Sequence, residues 1–221
     1  MKNGTEILKL GYFEFSAALV PGATLLIIIS IIDPKLLLPQ KFYNGISDFG
    51  LFFILSFVTG HLLQTVGKFV VDKLWWENVG GYPTKWPFHD ENSTKRVKRI
   101  FGVEKLIDRK QIPVLIKKIN IKLKLKVKSS KDKALNDLAR LLHLYLEKDK
   151  MNDRKDLFLA HYELTRGLFA VFGFMAWYFV CELNFVNVLY MISFSLLSFS
   201  RMNTYAIHYA SENYALLLLK K

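Results

Sequence analysis

The chain has 221 residues, of which 52% are hydrophobic, and its mean hydropathy is positive at +0.20, yet its formal net charge is +12. Soluble domains of this length are rarely so apolar and so basic together, and the two properties occupy different parts of the chain. Between Lys73 and Arg166 lie 23 of the 31 Lys/Arg residues, against 12 Asp/Glu, whereas long uncharged stretches lie on either side. This separation indicates a membrane protein with one basic segment outside the membrane.

Two apolar stretches in the first part of the chain, each with a single charged residue, predict membrane spans at about 11–32 and 49–71. About 20 apolar residues are needed to cross the hydrocarbon of a bilayer, and both stretches reach that length. Pro21 and Gly22 lie in the middle of the first span, where they are expected to kink the helix. Residues 1–72 are therefore predicted to form a transmembrane hairpin.

The last part of the chain, 153–221, predicts a second transmembrane hairpin, with spans at about 165–181 and 185–200. Both apolar runs are short for a full crossing, so we expect each helix to extend beyond the membrane on the basic side. A tight turn at 182–184 joins the two spans, and the final helix is predicted to continue to Leu219 as a cytoplasmic helix.

The basic segment sets the orientation, because cytoplasmic loops of membrane proteins carry an excess of Lys and Arg. Residues 73–152 are therefore predicted to form a basic cytoplasmic domain, with both chain termini on the same side of a bacterial inner membrane. The predicted fold class is an all-α membrane protein with four transmembrane helices and long cytoplasmic helical extensions. A small basic cytoplasmic insert containing one β-ribbon completes this fold.

The ribbon is predicted from residues 119–128, INIKLKLKVK, in which apolar residues alternate with Asn and Lys. A period of two places the apolar residues on one side of an extended strand and the amines on the other. A lone strand is not stable, so it would pair with 111–116 or with its copy in a neighbouring subunit. The remaining alternative is a helix in which the alternation is accidental. The lysines of such a ribbon are Lys122, Lys124, Lys126 and Lys128. One interpretation is that water solvates them. The other is that they form a row of amines that binds an anionic lipid headgroup, a nucleotide or a short oligonucleotide.

Polar residues recur inside the second and fourth predicted spans, where such groups need a partner or water. One interpretation is a packing face whose small residues let helices approach closely and whose polar groups bond to neighbouring spans. The other is the lining of a water-filled path. So many polar stripes in one small bundle favour self-association around a shared polar axis. The residues are Ser56, Gly60, His61, Gln64 and Lys68 in the second span, and Asn187, Ser195 and Ser198 in the fourth.

Catalytic and metal-binding motifs are absent from the sequence apart from one weak pair. There is no P-loop, GxSxG, GxGxxG or HExxH pattern, so we expect neither a cofactor nor a metal. Arg201 and His208, spaced R-x6-H, resemble the pair with which the all-helical HEPN ribonucleases cleave RNA, and that resemblance rests on these two residues. The alternatives are that Arg201 anchors the helix at the membrane exit and that His208 pairs with Glu212 one turn away.

The layout of few spans, one basic cytoplasmic insert and no catalytic motif resembles that of small membrane effectors of bacterial anti-phage defence systems. The stretch SFVTGHLLQTVGK, 56–68, contributes to this resemblance, which covers the chain in outline. It implies a channel or pore whose opening is controlled by a cytosolic nucleotide or oligonucleotide. We therefore predict a homo-oligomeric membrane channel gated through the basic domain, with a membrane-anchored ribonuclease and a non-conducting scaffold as the alternatives.

Overall fold

The structure, a computed structural model, describes residues 4–33, 46–80, 83, 111–122, 141–142, 144–145 and 153–219. All regular elements in these ranges are helical, and no strand occurs among them. The α-helices are α1 (Gly4–Ile32), α2 (Ile46–Val70), α3 (Ile112–Lys122), α4 (Asp153–Cys181) and α5 (Phe185–Leu219), and a π-helical segment, Val71–Gly80, continues α2.

Four helical stretches are long and apolar enough to cross a membrane: Phe15–Ile32, Phe49–Asn78, Lys155–Cys181 and Phe185–Leu219. The prediction of four spans is thereby confirmed at the level of length and composition. In α1 and in α4, one third of the residues in an apolar stretch of 18 are buried inside the chain. In α2 and in α5, the corresponding share is 17%. Helices α2 and α5 therefore leave most of their apolar surface free for lipid or for another molecule.

A three-residue turn reverses the chain between α4 and α5, as the sequence predicts. Leu183 adopts a left-handed conformation with φ of 55°, which ends α4. Asn184 then begins α5, because its carbonyl oxygen accepts from the Val188 amide at 3.0 Å and its Oδ1 accepts from the Asn187 amide at 3.2 Å. The carbonyl of Asn184 thus accepts the first bond of the helix, and its side chain caps one of the amides that the first turn leaves without partners.

The chain divides into two compact units. The first comprises Met1–Val71 and Ala160–Met202, and the second comprises Asp72–Leu159 and Asn203–Lys221. In the first unit, side chains from α1, α2, α4 and α5 form one apolar core. Its buried members are Leu25, Leu63, Val171, Met175, Phe179 and Val188.

The second unit has its own core, in which α3 packs against the end of α5. Leu115 and Ile119 of α3 are fully buried with Leu142 and with Tyr214 and Leu217 of α5. The Lys118 amine of α3 donates to the Leu218 carbonyl oxygen at 2.7 Å and to that of Leu217 at 3.4 Å. A cation at the carboxyl end of α5 thereby meets carbonyl groups that lack partners within the helix.

The predicted strand is wrong over residues 119–122, because they form the last turn of α3. In a strand, Ile119 and Ile121 would face the same side, yet Ile119 is fully buried and Ile121 is 62% exposed. Leu115 and Ile119, one helical turn apart, face the second core together, and this contact favours the helix over the alternation. The suggested partner strand, 111–116, is helical from Ile112 onward. Lys122 is exposed at the end of α3, whereas Lys124, Lys126 and Lys128 lie outside the described residues.

The π-helical segment is tied to α5 within the second unit. The Trp75 Nε1–H donates to Asn203 Oδ1 at 2.8 Å, and Asn203 is fully buried. Trp75 is half-buried, so its indole N–H retains part of the cost of desolvation when it loses this acceptor. The bond therefore fixes the register of the two segments more than an exposed bond would.

We expect Asn203→Leu to lower the free energy of unfolding by about 1–3 kcal/mol, because it leaves the indole N–H without this acceptor. Trp75→Phe in the Asn203→Leu background is expected to cost less than the two single changes summed, since the orphaned donor is removed with it. Thermal unfolding of the four proteins in detergent measures this coupling. If the losses of stability in the two single variants simply add in the double variant, the hydrogen bond between Trp75 and Asn203 is contradicted.

Candidate functional site

Helices α1 and α2 cross with their backbones in direct contact. A Cβ atom added to Gly60 would overlap the carbonyl oxygen of Ala18, and one added to Gly22 would overlap that of Ser56. Ser56 is fully buried, and its Oγ donates to the Phe52 carbonyl oxygen at 2.7 Å. Ser56 and Gly60 therefore serve the close approach of two helices inside one chain.

The four-residue repeat in α2 does not keep its members on one face. An α-helix turns about 100° per residue, so each step of four rotates the side chain by about 40°. After Ser56 and Gly60, which are buried, Gln64 is half-buried and Lys68 is exposed. The repeat thus begins at the α1 contact and ends on the outer surface of the chain.

Three exposed polar residues form a stripe along the outer surface of α2: His61, Thr65 and Lys68. Their i, i+4, i+7 spacing places them on one face of the helix. The Thr65 hydroxyl donates to the His61 carbonyl oxygen at 3.0 Å. The His61 ring meets the Phe57 ring edge-on, with centroids 4.5 Å apart. We call these three residues the outer polar stripe.

The predicted polar face of the fourth span is largely covered within the chain. Ser195 is 8% exposed, and its Oγ donates to the Phe169 carbonyl oxygen of α4 at 3.4 Å. Asn187 and Ser198 are half-buried. Among the residues predicted to line a path, those on α5 therefore contribute less exposed polar surface than the outer polar stripe of α2.

Polar groups are buried where α2 crosses α4, and one of them belongs to Arg166, which the sequence did not indicate as a site residue. Arg166 is 8% exposed, and its Nε–H has no hydrogen-bond partner in the described structure. Gln64 of α2 likewise has a buried Nε2 without a partner there. In the sequence, Arg166 marks the edge of an apolar run and is taken as the boundary of a span. The sequence does contain a sign of this contact, the glycines Gly67 and Gly167, because small residues mark places where helices pack closely.

The pair with the ribonuclease-like spacing lies on exposed surface of α5. Arg201 is exposed in the first unit, and His208 is exposed in the second. The His208 ring stacks on Phe158 with centroids 5.2 Å apart and an interplanar angle of 21°. This stacking gives His208 a packing role that does not require catalysis.

Comparison of the chain with models of protein families, with curated proteins and with solved structures finds no match. Function is therefore argued from geometry and chemistry. Two arrangements need an explanation: the outer polar stripe on an otherwise apolar helix surface, and the buried crossing at Arg166.

Proposed function

We propose that the chain assembles into a homo-oligomeric channel in a bacterial inner membrane, with the outer polar stripe of α2 lining its path. The observation that carries the proposal is the exposure of His61, Thr65 and Lys68 on a helix that is long and apolar enough to span the membrane. Polar groups at bilayer depth are costly against lipid and are usually found facing a bundle interior or a water-filled cavity.

The surroundings of the stripe support self-association. Beside the stripe, an exposed apolar row winds around α2, and each of its members is at least half exposed: Ile54, Val58, Leu62 and Val66. This apolar row suits packing against a neighbouring copy, while the adjacent polar stripe faces the symmetry axis. Only 17% of the residues in the apolar stretch of α2 are buried within the chain, so the helix has surface available for such a contact.

The proposed lining differs from the full set of polar span residues. Ser56, Gly60 and Ser195 are buried by contacts within one chain, so they hold the helices together. His61 and Lys68 remain available to water and ions, with Thr65 between them. A titratable ring and an amine on one stripe fit a path in which charge is met by water and by other copies.

Gating is proposed to come from the basic segment, 73–152, which faces the cytoplasm with both chain termini. Its charge fits an anionic ligand, such as a nucleotide or a short oligonucleotide, and binding to it would weaken steeply with salt. A ligand that prefers the conducting state shifts the population by its difference in affinity for the two states. This mode of control fits the resemblance to membrane effectors of anti-phage defence.

His61→Leu is expected to change ion flux across liposomes by roughly tenfold, which corresponds to about 1.4 kcal/mol in the barrier. An apolar ring of side chains at this position favours dewetting of the path, so a decrease is expected. The measurement is efflux of a trapped monovalent ion from vesicles containing equal amounts of protein. His208→Leu is the matched control, because it removes an exposed histidine that lies outside the stripe and should leave flux unchanged.

The same preparations separate the proposal from its alternatives. A ribonuclease would lose RNA cleavage on Arg201→Ala or His208→Ala and would be unaffected by His61→Leu. A scaffold would conduct no ions in the wild-type form, with or without added nucleotides. Either result, or equal flux for wild type and His61→Leu, would reject the channel.

A further inference from the structure

Two buried hydrogen-bond donors without acceptors lie on α2 and α4 in the first unit. The Nε–H of Arg166 and the Nε2 amide of Gln64 are both buried, and neither has a partner in the described structure. Buried polar groups in folded proteins almost always have partners, so each exception calls for an explanation. Because both atoms are donors, the missing partner must be an acceptor.

Close packing of α2 against α4 brings the bases of the two side chains to the same crossing. A Cβ atom at Gly67 of α2 would lie 3.3 Å from Cγ of Arg166, and one at Gly167 of α4 would lie 3.7 Å from Cγ of Gln64. Gln64 and Gly67 are one helical turn apart, and Arg166 and Gly167 are adjacent. The side chains of Gln64 and Arg166 therefore project from facing turns of α2 and α4.

The charge of Arg166 has no counter-ion among the described side chains. Its guanidinium carbon lies 5.2 Å from the centroid of the Tyr162 ring, a contact that offsets part of the cost of burial. Glu163, one turn before it on α4, has an interaction of its own. Arginine does not deprotonate in proteins, and burying a charge is costly unless it is paired.

We propose that the crossing of α2 and α4 is an anion-binding site, in which Arg166 supplies the charge and Gln64 an additional donor. The 8% exposure of Arg166 limits the ligand that reaches its Nε–H to a small one, such as an inorganic monovalent anion. A water molecule would satisfy the donors but not the charge. The site does not depend on conduction, because it concerns the stability of one chain.

Thermal unfolding of the full-length protein in detergent tests the site, with sodium chloride compared with sodium gluconate at equal ionic strength. An anion that binds only the folded state raises the unfolding midpoint, by roughly 5–10 °C when chloride is about 100 times its Kd. Broadening of the chloride NMR signal that saturates with protein provides a second readout that does not require unfolding.

Two variants and a control define the expected result. Arg166→Gln should abolish both the chloride dependence of the midpoint and the line broadening. Gln64→Glu keeps the shape of the side chain and supplies a carboxylate, so it should raise the midpoint in gluconate towards the wild-type value in chloride. Arg201→Gln removes an exposed arginine of the same unit and should retain the full chloride effect.

Three outcomes would overturn the assignment. Wild-type protein with equal midpoints in both salts would show that no small anion is bound. A chloride effect that survives in both Arg166→Gln and Gln64→Glu would locate the ion elsewhere. A phospholipid that stays with the purified wild type and is lost from Arg166→Gln would identify the anion as a lipid phosphate instead of a free ion. If Arg166→Gln does not fold, a full chloride effect in Gln64→Glu is the result that locates the ion elsewhere.

Discussion

Gly60→Ala is expected to lower the free energy of unfolding by about 3 kcal/mol or more, the upper end of the usual cost of overpacking. A Cβ at this position overlaps the Ala18 carbonyl oxygen, which belongs to backbone and not to a side chain that can rotate away. The two helices must separate to accommodate it. Thermal unfolding in detergent should show a drop of roughly 5–10 °C for a chain of this length.

Gly50→Ala is the matched control on the same helix, because nothing lies within 4 Å of a Cβ added at Gly50. Replacing an open helical glycine by alanine favours the helix, so this variant should be neutral or more stable than wild type. Equal losses for Gly50→Ala and Gly60→Ala would contradict the close crossing of α1 and α2.

Gly22→Ala provides a second test of the same crossing, because its Cβ would overlap the Ser56 carbonyl oxygen from the other helix. Once one substitution has separated the helices, the Cβ of the second overlaps less with the facing backbone. The double variant with Gly60→Ala is therefore expected to lose less stability than the two single variants summed.

The four helices that are long and apolar enough to span a membrane could be predicted from sequence, because length and scarcity of charge suffice to identify them. Their orientation about their own axes could not, since rotation depends on contacts between helices. The repeat from Ser56 to Lys68 shows this clearly: its members look equivalent in sequence, yet they pass from a buried contact to open surface. Whether a polar residue packs or lines a path is decided by this rotation.

Arg166 illustrates a different limit. A charged residue at the start of an apolar run ordinarily marks the end of a membrane span, because long cationic side chains reach towards the interface. Here Gly67 allows α2 to lie against the base of the arginine side chain, which is covered instead. The sequence contains both residues, but their contact depends on how two distant segments pack.

Helix α3 shows where periodicity misled the prediction. Alternation of apolar and polar residues is the usual sign of a strand, and residues 119–128 show it throughout. Ile119, at the start of this stretch, also follows Leu115 at the i, i+4 spacing of a helix. Packing of these two residues on Tyr214 and Leu217 selects the helix, and this tertiary contact overrides the local pattern.

Ile119→Ala is expected to lower the free energy of unfolding by about 2–5 kcal/mol, as for other large residues truncated in a core. Ile119 is fully buried against α5, so the substitution leaves a cavity in the second core. Ile121→Ala, two residues away and 62% exposed, should change the free energy by no more than about 0.5 kcal/mol. Thermal unfolding of the two variants in parallel measures the difference.

This pair distinguishes helix from strand without any further structure. Residues two apart lie about 200° apart around a helix but on the same side of a strand. A helix therefore predicts one large loss and one negligible one, whereas a ribbon with its apolar side covered predicts two similar losses. Similar losses at Ile119 and Ile121 would restore the strand and remove the packing of α3 on α5, and with it the contact between the Lys118 amine and the end of α5.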